Sequence, residues 1–277
     1  MPTWHAHPDV LLLLGGVWVA YLLAVRRHGV SAPNSDHHER RRRTTLFTAG
    51  MGLLWFASGW PMHDLAEGYL YLMHMTQHLL FTLIAAPLLI AGMPAWMLRS
   101  LLAPRPVRRV FRFFTRPLVA FVLFNGVLLF THWPAVVEAS VGSEPIHLAL
   151  HVLIVASALV MWWPVMSPLP EMPSLSAPGQ MIYLFLQSLA PTIPASFLTF
   201  GHTPLYPVYA AFPRIWGVSV LNDQLIAGLI MKLAGGLLLW TVIAVIFFRW
   251  FEREKRDGLD TSAYQNLQRE IGAEMGR

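Results

Sequence analysis

The chain has 277 residues, 55% hydrophobic and 13% charged, with a formal net charge of +5. Soluble domains carry about 25% charged residues, so this composition excludes an ordinary soluble protein and points to one polytopic membrane domain. Cysteine is absent, which excludes disulfides and thiolate metal sites and leaves His, Met, Asp, Glu or water as metal ligands.

Hydropathy marks seven apolar segments, at roughly 8–25, 45–60, 69–92, 117–133, 145–165, 179–200 and 222–249. Each is near the ~20 residues that a membrane helix needs, the second and fourth being short. The leading Met1-Pro2-Thr3-Trp4-His5-Ala6-His7 lacks the basic region of a signal peptide, so the first segment is expected to be a retained span. Six basic residues follow it: Arg26, Arg27 and Arg40 to Arg43. Six more lie between segments three and four (Arg99, Arg105, Arg108, Arg109, Arg112, Arg116), and six at the C-terminal end (Arg249, Arg253, Lys255, Arg256, Arg269, Arg277). These three groups of six make 18 of the 20 basic residues, all on one side of a seven-span chain. The positive-inside rule makes that side cytoplasmic.

The expected fold is therefore an all-α membrane protein, a seven-transmembrane-helix bundle with its N-terminus outside and its C-terminus cytoplasmic. Residues 1–254 form the transmembrane domain and 255–277 a short cytoplasmic tail. Tyr264, Leu267 and Ile271 give that tail helical spacing. The basic pI is a topology signal, so no nucleic-acid partner is expected; the partner implied by composition is the lipid bilayer. Pro87, Pro191 and Pro194 fall within spans, where bundle packing accommodates kinks.

Histidine placement carries the functional information. His74 and His78 lie roughly 8 and 14 Å below the start of the third segment at 1.5 Å rise per residue. Four apart, they share a helix face. His147 and His151 form a second such pair in the first turns of segment five. His63 caps the outer end of segment two, Asp223 opens segment seven, and Met231 lies two turns deeper on roughly the same face. These residues converge on the outer leaflet, whereas only His28, His37 and His38 fall on the cytoplasmic side. Ionisable groups inside a membrane are costly and mark functional sites.

His132 and His202, each at a helix end, are read as interfacial hydrogen-bonding residues, and His5 and His7 as solvated. Imidazole suits copper, zinc, iron or nickel, and thioether favours Cu(I). Zinc fits two His pairs and an Asp; Met75 beside the first pair, with Met73, tilts the choice toward copper. Deeper in the bilayer, Asn125, Gln187 and Lys232 are read as an interhelical hydrogen-bond set.

The segment Pro61…Asp64…His74-Met75-Thr76-Gln77-His78-Leu79-Leu80, followed by Ala86-Pro87-Leu88-Leu89 and Gly92-Met93-Pro94, resembles the multi-span CtaG family of cytochrome c oxidase assembly factors. The likeness continues through His147…His151, Trp162-Trp163-Pro164, Tyr206-Pro207-Val208-Tyr209 and Asp223-Gln224-Leu225-Ile226-Ala227-Gly228-Leu229-Ile230-Met231. Lys232 departs from it, an aromatic residue being expected there. The resemblance implies a non-enzymatic multi-pass protein of the bacterial plasma (inner) membrane that supplies copper to a haem–copper oxidase. It implies His74, His78, His147, His151, Asp223 and Met231 as ligands; His63 and Met75 are further candidates from their placement in the sequence. The implied partners are an oxidase subunit and a periplasmic copper donor, and homo-oligomerisation is compatible with this reading. Two other readings stay open: a copper transporter across the membrane, and a b-type haem electron carrier using the His pairs as axial ligands.

Overall fold

The computed structural model describes residues 8–29 and 37–275, with side chains as far as residue 257. No strand occurs among the described residues. The helices are α1 (Pro8–Gly29), α2 (His37–Ala57), α3 (Met62–Gly68), α4 (Tyr71–Gly92), α5 (Ala95–Leu101) and α6 (Arg105–Phe114). They continue with α7 (Pro117–Thr131), α8 (Pro134–Val141), α9 (Glu144–Met166), α10 (Ala177–Leu189), α11 (Thr192–Phe200) and α12 (Val220–Met275).

Among the described residues, five segments are long and apolar enough to cross a membrane: α1, α4, α9, α10 with α11, and Val220–Asp257 of α12. The protein is thus a multi-pass membrane protein. A sixth candidate is the pair α6–α7, bent by 76°. α2 misses the criterion because its first turns carry Glu39 and Arg40 to Arg43, which lower its hydropathy. The two weak segments are the two that the sequence marks as short.

The arginine-rich ends gather together. An Arg43 guanidinium N–H donates to the Met93 carbonyl at 3.0 Å, the His28 ring stacks on Trp96 at 4.2 Å, and Arg99 pairs with Glu171 at 2.6 Å. At this end α2 and α4 touch backbone to backbone. A Cβ on Gly92 would lie 2.4 Å from the Phe47 nitrogen, and the Tyr21 hydroxyl donates to the Gly92 carbonyl at 2.9 Å. Small residues allow such close approach between membrane helices. Gly92→Leu is therefore expected to cost about 1–3 kcal/mol through forced separation, read as a lower unfolding midpoint in detergent.

Two π-helical turns interrupt the long helices, Leu80–Ala85 in α4 and Ile230–Ala234 in α12. Such turns are frequent at functional sites because they redirect side chains and free backbone carbonyls. Here the Thr82 carbonyl accepts the Trp162 indole N–H at 2.8 Å.

The mid-bundle polar set is structural, as expected, for two of its three members. The Asn125 amide donates to Gln187 at 2.7 Å, and Gln187 donates to the Tyr183 hydroxyl at 3.1 Å. Lys232 instead bonds the Thr192 hydroxyl. The backbone of α12 runs helically from its apolar part through Met275, so the tail is an extension of that helix. The side chains of Tyr264, Leu267 and Ile271, like His5 and His7, lie outside the described residues.

Candidate metal centre

The site begins with how α4 starts. Leu70, its N-cap residue, has no capping side chain, so the first N–H groups of the helix need acceptors from elsewhere. Asp223 of α12 supplies them: its two carboxylate oxygens accept from the Tyr71 and Leu72 N–H groups, each at 2.9 Å. Arg214 approaches the same carboxylate at 3.7 Å and donates to the Tyr69 and Tyr209 carbonyls. Asp223 is fully buried with both oxygens engaged. The residue expected as a metal ligand is thus placed at the N-terminus of the histidine-bearing helix, which it holds from a favourable position at the helix dipole.

From that fixed start, His74 and His78 project from one face of α4 toward His147 and His151 on α9. Ring centroids are 4.3 Å apart for His74 and His78, and 4.1 Å for His147 and His151. Across the helices, His151 lies 5.7 Å from His74 and 5.3 Å from His78. His63 of α3 completes the group at 5.4 Å from His147. Two triads have ligand nitrogens all within 4.8 Å of one another: His63, His147 and His151; and His74, His78 and His151. His151 belongs to both.

All five rings are at most 9% exposed. Even so, His74 Nδ1, both ring nitrogens of His78, and His151 Nε2 have no hydrogen-bond partner among the described residues. A buried polar atom left unpaired costs about 1–3 kcal/mol. Several such lone pairs facing one another are the donor set of a cation, and neutral imidazole nitrogen is a ligand for borderline transition metals. The residues fit a metal ion.

The sequence reading missed Glu67. It lies one turn after His63 on α3, with its Oε1 3.1 Å from His63 Nε2 and 2.8 Å from His147 Nε2. The His147 contact is close but off the line of a ring N–H, since that nitrogen makes no aligned hydrogen bond. Burial alone would raise the Glu67 carboxyl. The imidazoles of His147 and His63 outweigh it and hold the group below the ordinary carboxylate range. His63 Nδ1 meets the Gln77 amide at 3.1 Å, and His147 Nδ1 the Ser140 hydroxyl at 3.0 Å. These second partners orient the rings, as carboxylates and hydroxyls do around metal-binding histidines. The four-residue step from His63 to Glu67 on one helix was the available signal.

Two spaces meet the cluster. A polar vestibule of about 190 Å³ reaches His74, His78, His147 and His151 past Glu67, Ser140 and Glu144. An apolar groove of about 430 Å³ runs from His63, His147 and His151 along α1, α2 and α9 to Leu98, Phe111 and Trp163. Met75 and Met231 belong to neither triad. Both line a smaller cavity of about 60 Å³ on the other side of His78, together with His132. His132 makes the helix-end hydrogen bond expected of it, to the Leu128 carbonyl at 2.7 Å, and is 6% exposed because the turn into α8 folds it inward. His202 is exposed in a loop and belongs to neither triad.

A family model described as cytochrome c oxidase caa3 assembly factor (Caa3_CtaG) matches residues 19–253. That range contains every histidine of the cluster, Glu67 and Asp223. Neither the comparison with curated proteins nor that with solved structures gives a match.

Proposed function

From the premise that this chain belongs to the cytochrome c oxidase caa3 assembly factors, we propose that it binds copper at the paired histidines and delivers it to the oxidase copper centre. The observation that carries this reading is the set of buried, unpartnered imidazole nitrogens on α4 and α9. Membership of an assembly-factor family suggests a non-catalytic role, and binding with release demands no chemistry beyond ligand exchange.

The bundle has seven spans in this reading, with α2 and α7 as the short passes. The arginine-rich end is cytoplasmic and the histidine end faces the periplasm of a bacterial plasma membrane, by the positive-inside rule. Copper from a periplasmic donor enters by the vestibule, where ionised Glu67, with Glu144 at the mouth, favours a cation. The two triads share His151, so the ion can change partners one ligand at a time without returning to water. The acceptor is a haem–copper oxidase subunit.

The alternatives have less support. A haem carrier needs room for a macrocycle between facing imidazoles, whereas these rings pack at 4.1–6.2 Å. A transmembrane copper route needs ligands through the inner half, and Met97 and Met161 lie in separate apolar cores.

The test is metal content of detergent-purified protein grown with copper, beside a His74→Ala/His78→Ala variant. Near-stoichiometric copper in the parent and its loss in the variant is the expected result. Absence of copper from the parent, with zinc or iron in its place, would overturn the copper reading and leave assembly membership intact.

A further inference from the structure

The cavity beyond His78 contains a contact that ordinary hydrogen bonding does not explain. His132 Nδ1 lies 2.7 Å from the Leu128 carbonyl and 3.3 Å from the Thr131 hydroxyl, which itself donates to that carbonyl at 3.0 Å. A carbonyl oxygen only accepts, so the proton is on Nδ1. In the neutral ring Nε2 is then a bare lone pair. It lies 3.3 Å from the Met75 sulfur. Thioether sulfur is an acceptor too. Two buried acceptors face each other with no proton between them.

The surroundings match a soft cation. An Nδ1–H bond to a backbone carbonyl is the usual second partner of a metal-ligating histidine and fixes its tautomer. The Tyr206 hydroxyl donates to the His132 carbonyl at 2.8 Å and anchors the residue further. With bonds of roughly 2.0 Å to nitrogen and 2.3 Å to sulfur, a separation of this size subtends about 100° at a shared ion, near tetrahedral. The His78 ring, with both nitrogens unpartnered, lies 5.8 Å from His132 and lines the same cavity, as does Met231. The cavity, about 60 Å³, is lined mainly by apolar side chains, a setting that disfavours a strongly hydrated divalent ion.

We propose that Met75 and His132, closed by His78 and with Met231 in reach, form a second metal station that takes a soft monovalent d¹⁰ ion, Cu(I) or Ag(I). Thioether and imidazole donors select Cu(I) over zinc and other harder ions. His78 stands between the stations, 4.3 Å from His74 on one side and 5.8 Å from His132 on the other. Only the physiological identity of the ion rests on the copper reading above; the station itself stands on its own geometry.

The experiment titrates the full-length protein, solubilised and labelled with ¹³C-methyl methionine, with Ag(I) as a redox-inert probe. The Met75 resonance is assigned by its loss in Met75→Leu, a volume-conserving change. The expected result is a shift of the Met75 methyl on adding Ag(I), retained in His147→Ala/His151→Ala and lost in His132→Leu. An unmoved Met75 methyl in the parent overturns the proposal. A shift that survives His132→Leu overturns it as well. Failure of the outer triads alone leaves the methyl shift in place, so the two readings fail separately.

Discussion

Replacing His151 by alanine is expected to lower copper affinity by more than about 100-fold. Loss of a residue that only orients a metal ligand already costs 10–100-fold, and His151 is a donor common to both triads. Each triad falls to two imidazoles at once, leaving no three-ligand set among those five histidines. His63→Ala breaks one triad and spares His74, His78 and His151, so its effect is expected to be smaller. Competition against a chelator of known affinity measures the difference. Equal losses for the two variants would disprove the shared-ligand arrangement. Because the buried His151 ring also packs against Phe81, copper is counted per folded molecule in each variant.

Asp223 is expected to behave in the opposite way. Asp223→Ala removes two charge-assisted bonds from the buried first turn of α4 and strips the partly exposed Arg214 of its counter-charge. Leaving a buried N–H without an acceptor costs about 1–3 kcal/mol, and two together are a large part of a typical domain's stability. The expected outcome is a sharply lower unfolding midpoint and poor accumulation in the membrane. Asp223→Asn keeps one acceptor oxygen and is expected to sit between the two, with copper per folded molecule near the parent's. A ligand would give the reverse pattern, an unchanged midpoint and lost copper. Thermal unfolding and metal analysis on the same samples separate them.

Glu67 offers a gentler test of the vestibule. Glu67→Gln keeps the shape and removes the charge beside His63 and His147. Slower copper loading with the triads intact is expected, since a carboxylate at the mouth of a narrow site raises the local cation concentration. Loading kinetics at low and high salt check it, the difference between parent and variant shrinking as salt rises.

The sequence by itself determined the membrane class, the run of apolar helices and the pairing of His74 with His78 and of His147 with His151. Those follow from composition and from the 3.6-residue period, which are local properties of the chain. It also marked α2 and α7 as the weak segments, because length and charge are read directly.

What the tertiary structure decided was the job of each polar side chain once helices had packed. Asp223 sits 152 positions from Tyr71, and nothing in its own neighbourhood says that its carboxylate caps a distant helix. Glu67 has one turn of local signal, but its value comes from His147, across the fold. His132 reads as an end-of-helix residue until the α7–α8 turn carries it onto Met75. Spacing sets which face of a helix a residue occupies; which helix meets that face, and with which atoms left unpaired, is fixed only by packing.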